Sequence, residues 1–301
     1  MKRVVVTGAT SMIGVALIKE CIKNNVEVLA IVRRQSINLN RLPNSDMIEI
    51  CECNLNELNT ICTNKQYDLF YHFGWAYTTK AKRDDPVLQE KNIKYSLDAV
   101  ELANKLGCRK FIGAGSQAEY GRVDHVITSN TAVAPLISYG MAKYAAGSLC
   151  AKLCKQYGMI CIWGRIFSVY GRFDNEETML SYAINQFMKK EAAKFSSAVQ
   201  MWDYLHEDDA GRIFYLLGQA VNKEKVYCIA SGNSRKLKEF ILEVKEVFGG
   251  DARCEFADET EESSRIGLEV DTGDLVQDID YIPKVSFREG ILDMIQCRKG
   301  I

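Results

Sequence analysis

An α/β fold, a doubly wound parallel sheet with a smaller α+β domain toward the C-terminus, is predicted by three observations. Short β-branched runs alternate with amphipathic stretches from the first residue, the pattern of βαβ units. A glycine turn, Thr7-Gly8-Ala9-Thr10-Ser11-Met12-Ile13-Gly14, sits between the first strand and the first helix. After Gly171 the alternation is lost and a different texture begins.

Strands are expected at 3–7, 27–32, 47–51, 69–73, 110–114 and 160–163, where β-branched and aromatic residues cluster. Helices are expected between them near 13–24, 55–63, 86–106 and 139–157. Each helix must cover a face of the sheet, and right-handed crossovers then wind the layer in both directions. Beyond Gly171 the pattern predicts a helix at 176–189, short segments around 199–205, a helix at 208–219 and a strand at 226–229. The last two are expected to return to the main sheet. A helix at 237–248, a strand at 253–256, an acidic loop at 258–264 and a helix at 287–297 complete the chain. The organisation expected is a nucleotide-binding domain over 1–171, joined by 206–230, and a second domain made of 172–205 and 231–301.

Composition narrows the function classes. The 301 residues are 47% apolar with four prolines, enough to bury a large core. Lys and Arg (38) nearly cancel Asp and Glu (39), so no global field draws the chain to nucleic acid or an anionic membrane, and a small partner is expected. Eleven cysteines show no metal-ligand spacing and are read as reduced, mostly buried thiols of a cytoplasmic protein. No metal is expected. The N-terminus runs straight into a strand, without a signal-peptide pattern, and no apolar run approaches the ~20 residues that span a bilayer.

The first turn carries the cofactor expectation. Glycine lets the backbone approach a pyrophosphate, and the helix N-terminus offers free N–H groups and a partial positive charge. Gly8, Thr10, Ser11, Met12, Ile13 and Gly14 are therefore candidate dinucleotide contacts of a Rossmann sheet. Ser11 stands where a middle glycine is expected; it is small, and its hydroxyl suits a phosphate. The second strand ends Ile31-Val32-Arg33-Arg34-Gln35-Ser36, with no acid to read a free ribose 2′-hydroxyl. Arg33 and Arg34 suit a 2′-phosphate, which favours NADP(H) and leaves NAD(H) possible; the plain alternative is a solvated basic pair. Asn54 and Leu55, then Phe73, Gly74 and Trp75 after the fourth strand, are placed along the same dinucleotide.

Two further segments carry chemistry. Gly115-Ser116-Gln117-Ala118-Glu119-Tyr120-Gly121 is followed by Tyr139-Gly-Met-Ala-Lys143, whose tyrosine and lysine lie one helical turn apart. An ammonium beside a phenol lowers its pKa and makes it a usable proton donor. Reduction of a ketone needs such a donor and a hydrogen bond to hold the oxygen, here Ser116.

Together with Asn92, Arg165-Ile-Phe-Ser-Val-Tyr-Gly171, Gln200–Asp209, Asp271–Leu275 and Tyr281-Ile-Pro283, these residues resemble the extended short-chain dehydrogenase/reductase family, nucleotide-sugar branch. The resemblance implies catalysis by Ser116, Tyr139 and Lys143. It adds Asn92, Lys143, Ile166 and Ser168 to the cofactor contacts, and Gln117, Ser168, Arg172, Trp202 and Arg265 to the substrate site. It also implies a homodimer through the two long helices and a nucleotide-sugar substrate. The family's dehydratases carry an Asp-Glu pair after the serine, its decarboxylases a glutamate, and its 3,5-epimerising reductases a cysteine. Gln117 and Ala118 supply none of these, and Glu119 falls one position late, where an alternating strand end would turn it away. Simple hydride transfer remains. The implied enzyme is an NADPH-dependent reductase of a nucleotide-linked 4-keto-(6-deoxy)sugar of the kind that serves surface-polysaccharide assembly; the alternative is an NAD-dependent 4-epimerase. Trp202 stands where the family has a phosphate-binding arginine, so it either stacks on a base or sugar or fills a domain interface. Arg172 or Arg265 would then neutralise the diphosphate. A non-catalytic dinucleotide sensor would have no need of Ser116, Tyr139 and Lys143. A reductase of flavonoid- or steroid-like ketones would share them but not the Gln200–Asp209 segment.

Overall fold

The computed structural model describes residues 1–250, 252–259 and 267–300. In chain order the first half runs β1 (Arg3–Thr7), α1 (Met12–Lys23), β2 (Glu27–Val32), β3 (Ile48–Glu52), β4 (Leu69–His72), α2 (Pro86–Lys105), β5 (Lys110–Ser116), α3 (Ser138–Gln156) and β6 (Ile160–Ile166). The second half runs β7 (Ser168–Tyr170), α4 (Met179–Met188), β8 (Ala192–Phe195), β9 (Met201–Trp202), β10 (Tyr204–His206), α5 (Glu207–Ala220) and β11 (Lys225–Ile229). It ends with β12 (Arg235–Lys236), α6 (Leu237–Phe248), β13 (Arg253–Phe256), α7 (Gly273–Ile279) and α8 (Phe287–Lys299).

Seven strands form one parallel sheet in the order β11-β6-β5-β4-β1-β2-β3, with Val5 opposite Leu29 on one side and Phe70 on the other. The chain reverses direction across the sheet between β1 and β4, and open α/β sheets bind ligands at the carboxyl ends flanking such a switch. Successive side chains of β1 enter opposite cores. Val4 and Val6 pack with Leu17 and Ile18 of α1 and Ile213, Phe214 and Leu217 of α5. Val5 packs with Phe70, Phe111, Ala99 and Ala103 of α2, and Cys150 and Cys154 of α3. A strand covered on both faces reads as a continuous apolar run, which is why Val4-Val-Val6 carries no polar alternation.

Several expected boundaries shift. The stretch expected as a helix at 55–63 is a 3₁₀ turn, Leu55–Thr60, because only Leu58 of it is buried and Asn56 and Asn59 give it no apolar stripe. β5 and β6 run on to Ser116 and Ile166, carrying both ends into the cleft. α7 was not anticipated; the acidic loop lies outside the described residues from 260 onward.

Beyond β6 the chain builds a second cluster from α4, α6 and α8, with Leu180, Ile184, Phe187, Val244, Ile291 and Met294 at its centre. β8 pairs with β13, and β7 pairs with β10. Between these pieces α5 packs on α1, and β11 joins the main sheet beside β6. The tail is tied to that edge strand: Lys225 Nζ and Tyr227 Oη meet Asp278 at 2.7 Å. Among the described residues no helix is long and apolar enough to cross a membrane.

Candidate active site

The glycine turn is shaped as its residues require. Gly8 has φ +65°, and a Cβ there would lie 2.7 Å from the Phe73 carbonyl carbon, so only glycine lets β1 leave so close beside β4. Ser11 caps α1, its Oγ accepting the Gly14 N–H at 3.1 Å. Thr7, buried behind the turn, accepts the Gly74 N–H at 3.2 Å and lies 2.8 Å from His72 Nδ1. His72 Nε2 faces Ser96 Oγ, which donates to the Asn92 carbonyl. Burial pushes the imidazole down to about 3, so it works as a neutral hydrogen-bonding strut.

A cleft of about 660 Å³ opens at the carboxyl ends of β1, β2 and β4. Gly8, Thr10, Ser11, Arg33, Asn54 and Leu55 line it, with Phe73, Gly74 and Trp75 along its floor. Ser36, Asn38 and Arg41 complete the end near Arg33. Arg34 is not among the lining residues; it pairs with Glu57 at 3.1 Å. Arg41 stands in its stead, and its guanidinium lies 4.7 Å from the Phe173 ring centre. Sequence reasoning missed Arg41, which sits in an irregular loop with no strand-end spacing to mark it. Met12, Ile13 and Gly14 form the first turn of α1 behind this cleft. The bare turn, the capped helix N-terminus and the cationic end make a donor set that fits a dinucleotide.

Asn92 is a scaffold for that cleft. Buried on α2, it accepts the Ala76 N–H at 2.8 Å and donates to the Ala76 carbonyl at 3.1 Å, holding the segment that follows β4. Ile166 ends β6, and Ser168 pairs with Tyr204 in the short β7–β10 ladder.

Beside the cleft, β5 delivers Ser116 and α3 delivers Tyr139 and Lys143. Gly140 permits this approach, because a Cβ there would lie 2.3 Å from the Ala118 carbonyl oxygen. Burial pushes the Tyr139 phenol up, while the Arg83 guanidinium and then the Ser116 hydroxyl pull it down. Lys143 is buried; its Nζ donates to the Ala114 carbonyl at 2.6 Å and lies 3.7 Å from the Trp75 ring centre and 5.8 Å from that of Tyr139. Burial brings its ammonium down to about 7. Trp75 is held by its indole N–H on Gln89 Oε1 at 3.0 Å and meets Tyr139 edge-on.

Glu119 lies in a 3₁₀ turn (Gln117–Glu119) and not at the alternating strand end from which the sequence reading expects it to turn away. Fully buried, it accepts the Ser116 N–H at 2.8 Å, the Trp163 indole N–H at 3.0 Å and Arg165 Nε at 2.7 Å. Gln117 has a buried Oε1 with no hydrogen-bond partner, as has the indole N–H of Trp202.

The Gln200–Asp209 segment turns Asp203, Glu207 and Asp209 inward. Asp203 accepts from the backbone N–H groups of Ser231 and Gly232, and Asp209 from those of Lys284 and Val285. Arg172 is engaged with Glu207 and Asp208 at 2.5 Å and with Asp293 at 3.3 Å. His206, Glu207 and Asp293 bring ligand-type atoms within 4.8 Å of one another around that guanidinium, which supplies the countercharge. Arg265 lies outside the described residues.

A parallel α/β sheet with a glycine turn at its switch point and a Ser/Tyr/Lys set on the next strand and helix defines a dinucleotide-dependent enzyme of the extended short-chain dehydrogenase/reductase class. The profile of the NAD dependent epimerase/dehydratase family matches residues 4–230, and the chain belongs to that family. It is 23% identical over 259 residues to the ADP-L-glycero-D-manno-heptose-6-epimerase of Brachyspira hyodysenteriae, covering 81% of each chain. It is 22% identical to the dTDP-4-dehydro-6-deoxyglucose reductase of Escherichia coli over 98% of each. Among solved structures, the UDP-glucose 4-epimerase of Thermotoga maritima, determined with UDP-glucose, superposes with a TM-score of 0.86 at 20% identity, over 99% of each chain. RMD from Pseudomonas aeruginosa, complexed with NADPH, superposes with a TM-score of 0.82 at 16% identity, over 100% of this chain and 99% of that one. These structural likenesses are of fold.

Proposed function

We propose that the protein is an NADPH-dependent reductase of a nucleotide-linked 4-keto-(6-deoxy)sugar. The observation that carries the reading is the commitment of Glu119, the one acid beside Ser116, to Arg165. With Gln117 and Ala118 alongside, no group next to Ser116 is free to exchange a proton with a sugar carbon, which leaves hydride transfer to a carbonyl.

The family's NAD(P) cofactor supplies or accepts the hydride when bound. Gly8, the first turn of α1 (Met12, Ile13, Gly14), Asn54, Leu55 and the Phe73–Trp75 floor would hold it. Arg33, with Ser36 and Arg41, would hold a 2′-phosphate, which supports NADP(H) over NAD(H). Ser116 Oγ holds the substrate carbonyl oxygen, and Tyr139 Oη gives that oxygen its proton. Gln117, Ser168 and Trp202 are assigned to the sugar nucleotide. Arg172, already neutralised by three carboxylates, is the weaker candidate for its diphosphate. A homodimer through α2 and α3 belongs to the same reading, since α3 exposes Met141, Tyr144 and Leu149.

A second reading, an NAD-dependent 4-epimerase, is favoured by the epimerases among the relatives and neighbours. The separating experiment incubates purified protein with NADPH and a nucleotide-linked 4-keto-6-deoxysugar and follows absorbance. Net NADPH oxidation, abolished by Tyr139→Phe with NADPH affinity kept within a few-fold, is expected. Tightly held copurifying NAD, with interconversion of 4-epimers and no net oxidation, would overturn the reductase reading.

A further inference from the structure

We propose that Arg83 is a second positive charge built against Tyr139, a positioning residue that steadies the tyrosinate left when the phenol gives up its proton. It lies between β4 and α2. Its Cζ sits 4.2 Å from the Tyr139 ring centre, nearer than the Lys143 ammonium at 5.8 Å. The backbone fixes it there: the Tyr139 N–H donates to the Arg83 carbonyl at 3.0 Å.

The acids adjacent in sequence do not neutralise it. Asp84 accepts from the Ser138 N–H and hydroxyl at the start of α3, and Asp85 caps α2 through the N–H groups of Val87 and Leu88. Arg83 Nε is buried with no hydrogen-bond partner, and among the described residues the guanidinium makes no ion pair.

The charged groups facing Tyr139 are Arg83 before α2, Lys143 on α3 and Glu119 in the turn after β5. Glu119 is spent on Arg165. Lys143 is brought down by burial to about 7, so its positive charge fades as pH rises through neutrality, whereas a guanidinium keeps its charge. In the reduction, the Tyr139 O–H bond breaks and a new O–H bond forms on the substrate oxygen as its carbon takes the hydride of NADPH. The phenolate is later reprotonated from solvent. Its charge develops on a ring that both cations approach, and Arg83 is the permanent one.

The inference rests on Tyr139 as the proton donor, and its test needs no substrate. Tyrosine-labelled protein is titrated by NMR, the Tyr139 signal being assigned by its loss in Tyr139→Phe. Arg83→Met is expected to raise the Tyr139 midpoint by about one pH unit or more, a tenfold fall in tyrosinate at a given pH. Arg83→Lys is expected to restore most of that shift. An unmoved midpoint in a folded Arg83→Met protein overturns the proposal, as does a wild-type Tyr139 that stays un-ionised wherever the chain is folded. In turnover assays Arg83→Met should shift the pH limb of kcat. A rise in KM alone, with the limb unmoved, would make Arg83 a substrate-anion contact and sink the positioning role. Failure of the proton-donor role would show separately, as turnover surviving in Tyr139→Phe, and failure of the reductase reading as interconversion of 4-epimers without net NADPH oxidation.

Discussion

Two adjacent arginines with the same chemistry do different work because the chain turns them to different partners. Arg33 faces the cleft, while Arg34 folds back on Glu57, so under the proposed reductase reading cofactor preference falls to Arg33 with Arg41. Arg33→Ala is expected to weaken NADPH binding at least tenfold while changing NADH binding little, and Arg34→Ala to leave both within about twofold, by fluorescence titration. Equal losses of both cofactors in Arg33→Ala would make it a structural arginine. At this scale the sequence was legible in the placement of Gly8 at a positive-φ turn and of Ser116 and Tyr139 on neighbouring elements. It was ambiguous where a side chain could serve two masters. Ser11, a candidate phosphate contact, also caps α1, and Asn92, a candidate cofactor contact, also holds the Ala76 backbone.

At the scale of elements, the turn between β5 and α3 is held by one carboxylate. Glu119 gathers the Ser116 backbone, Trp163 and Arg165, so it fixes the strand end that presents the Ser116 hydroxyl. Glu119→Ala would leave Arg165, 6% exposed, without its countercharge, and is expected to cost about 3–5 kcal/mol in a denaturant melt. Glu119→Gln, which keeps the shape and one acceptor, should cost clearly less. The long elements of the sheet half were readable because apolar periodicity and burial agree there. The 3₁₀ turn at Leu55–Thr60, the short strands β7, β8 and β12, and α7 were not, since short elements are fixed by tertiary contacts that no local pattern carries.

Across the whole molecule, the C-terminal tail is fastened to the sheet edge through Asp278. The Lys225 ammonium, and after it the Tyr227 hydroxyl, hold its carboxyl below the usual range. A carboxylate depressed in the folded state contributes stability that is fully present above its unfolded pKa of about 3.9 and is lost progressively as pH falls from there through the depressed folded value. Asp278→Asn is therefore expected to lower Tm by about 2–4 °C at pH near 7, with the deficit shrinking below about pH 4. A deficit unchanged at acid pH would mean lost packing instead of lost charge. The return of α5 and β11 to the main sheet was legible from their apolar runs; the fastening of the tail was not, because the partners are about fifty residues apart.

The excursion of the chain after β6 also constrains how such proteins can be rebuilt. The α4, α6 and α8 cluster is encoded on both sides of α5 and β11, which belong to the other core. A contiguous swap of the C-terminal segment between relatives would import α6 and α8 while leaving α4 to pack against strangers. Changing this half as a unit means transplanting two separated stretches of gene together and sparing the strand between them.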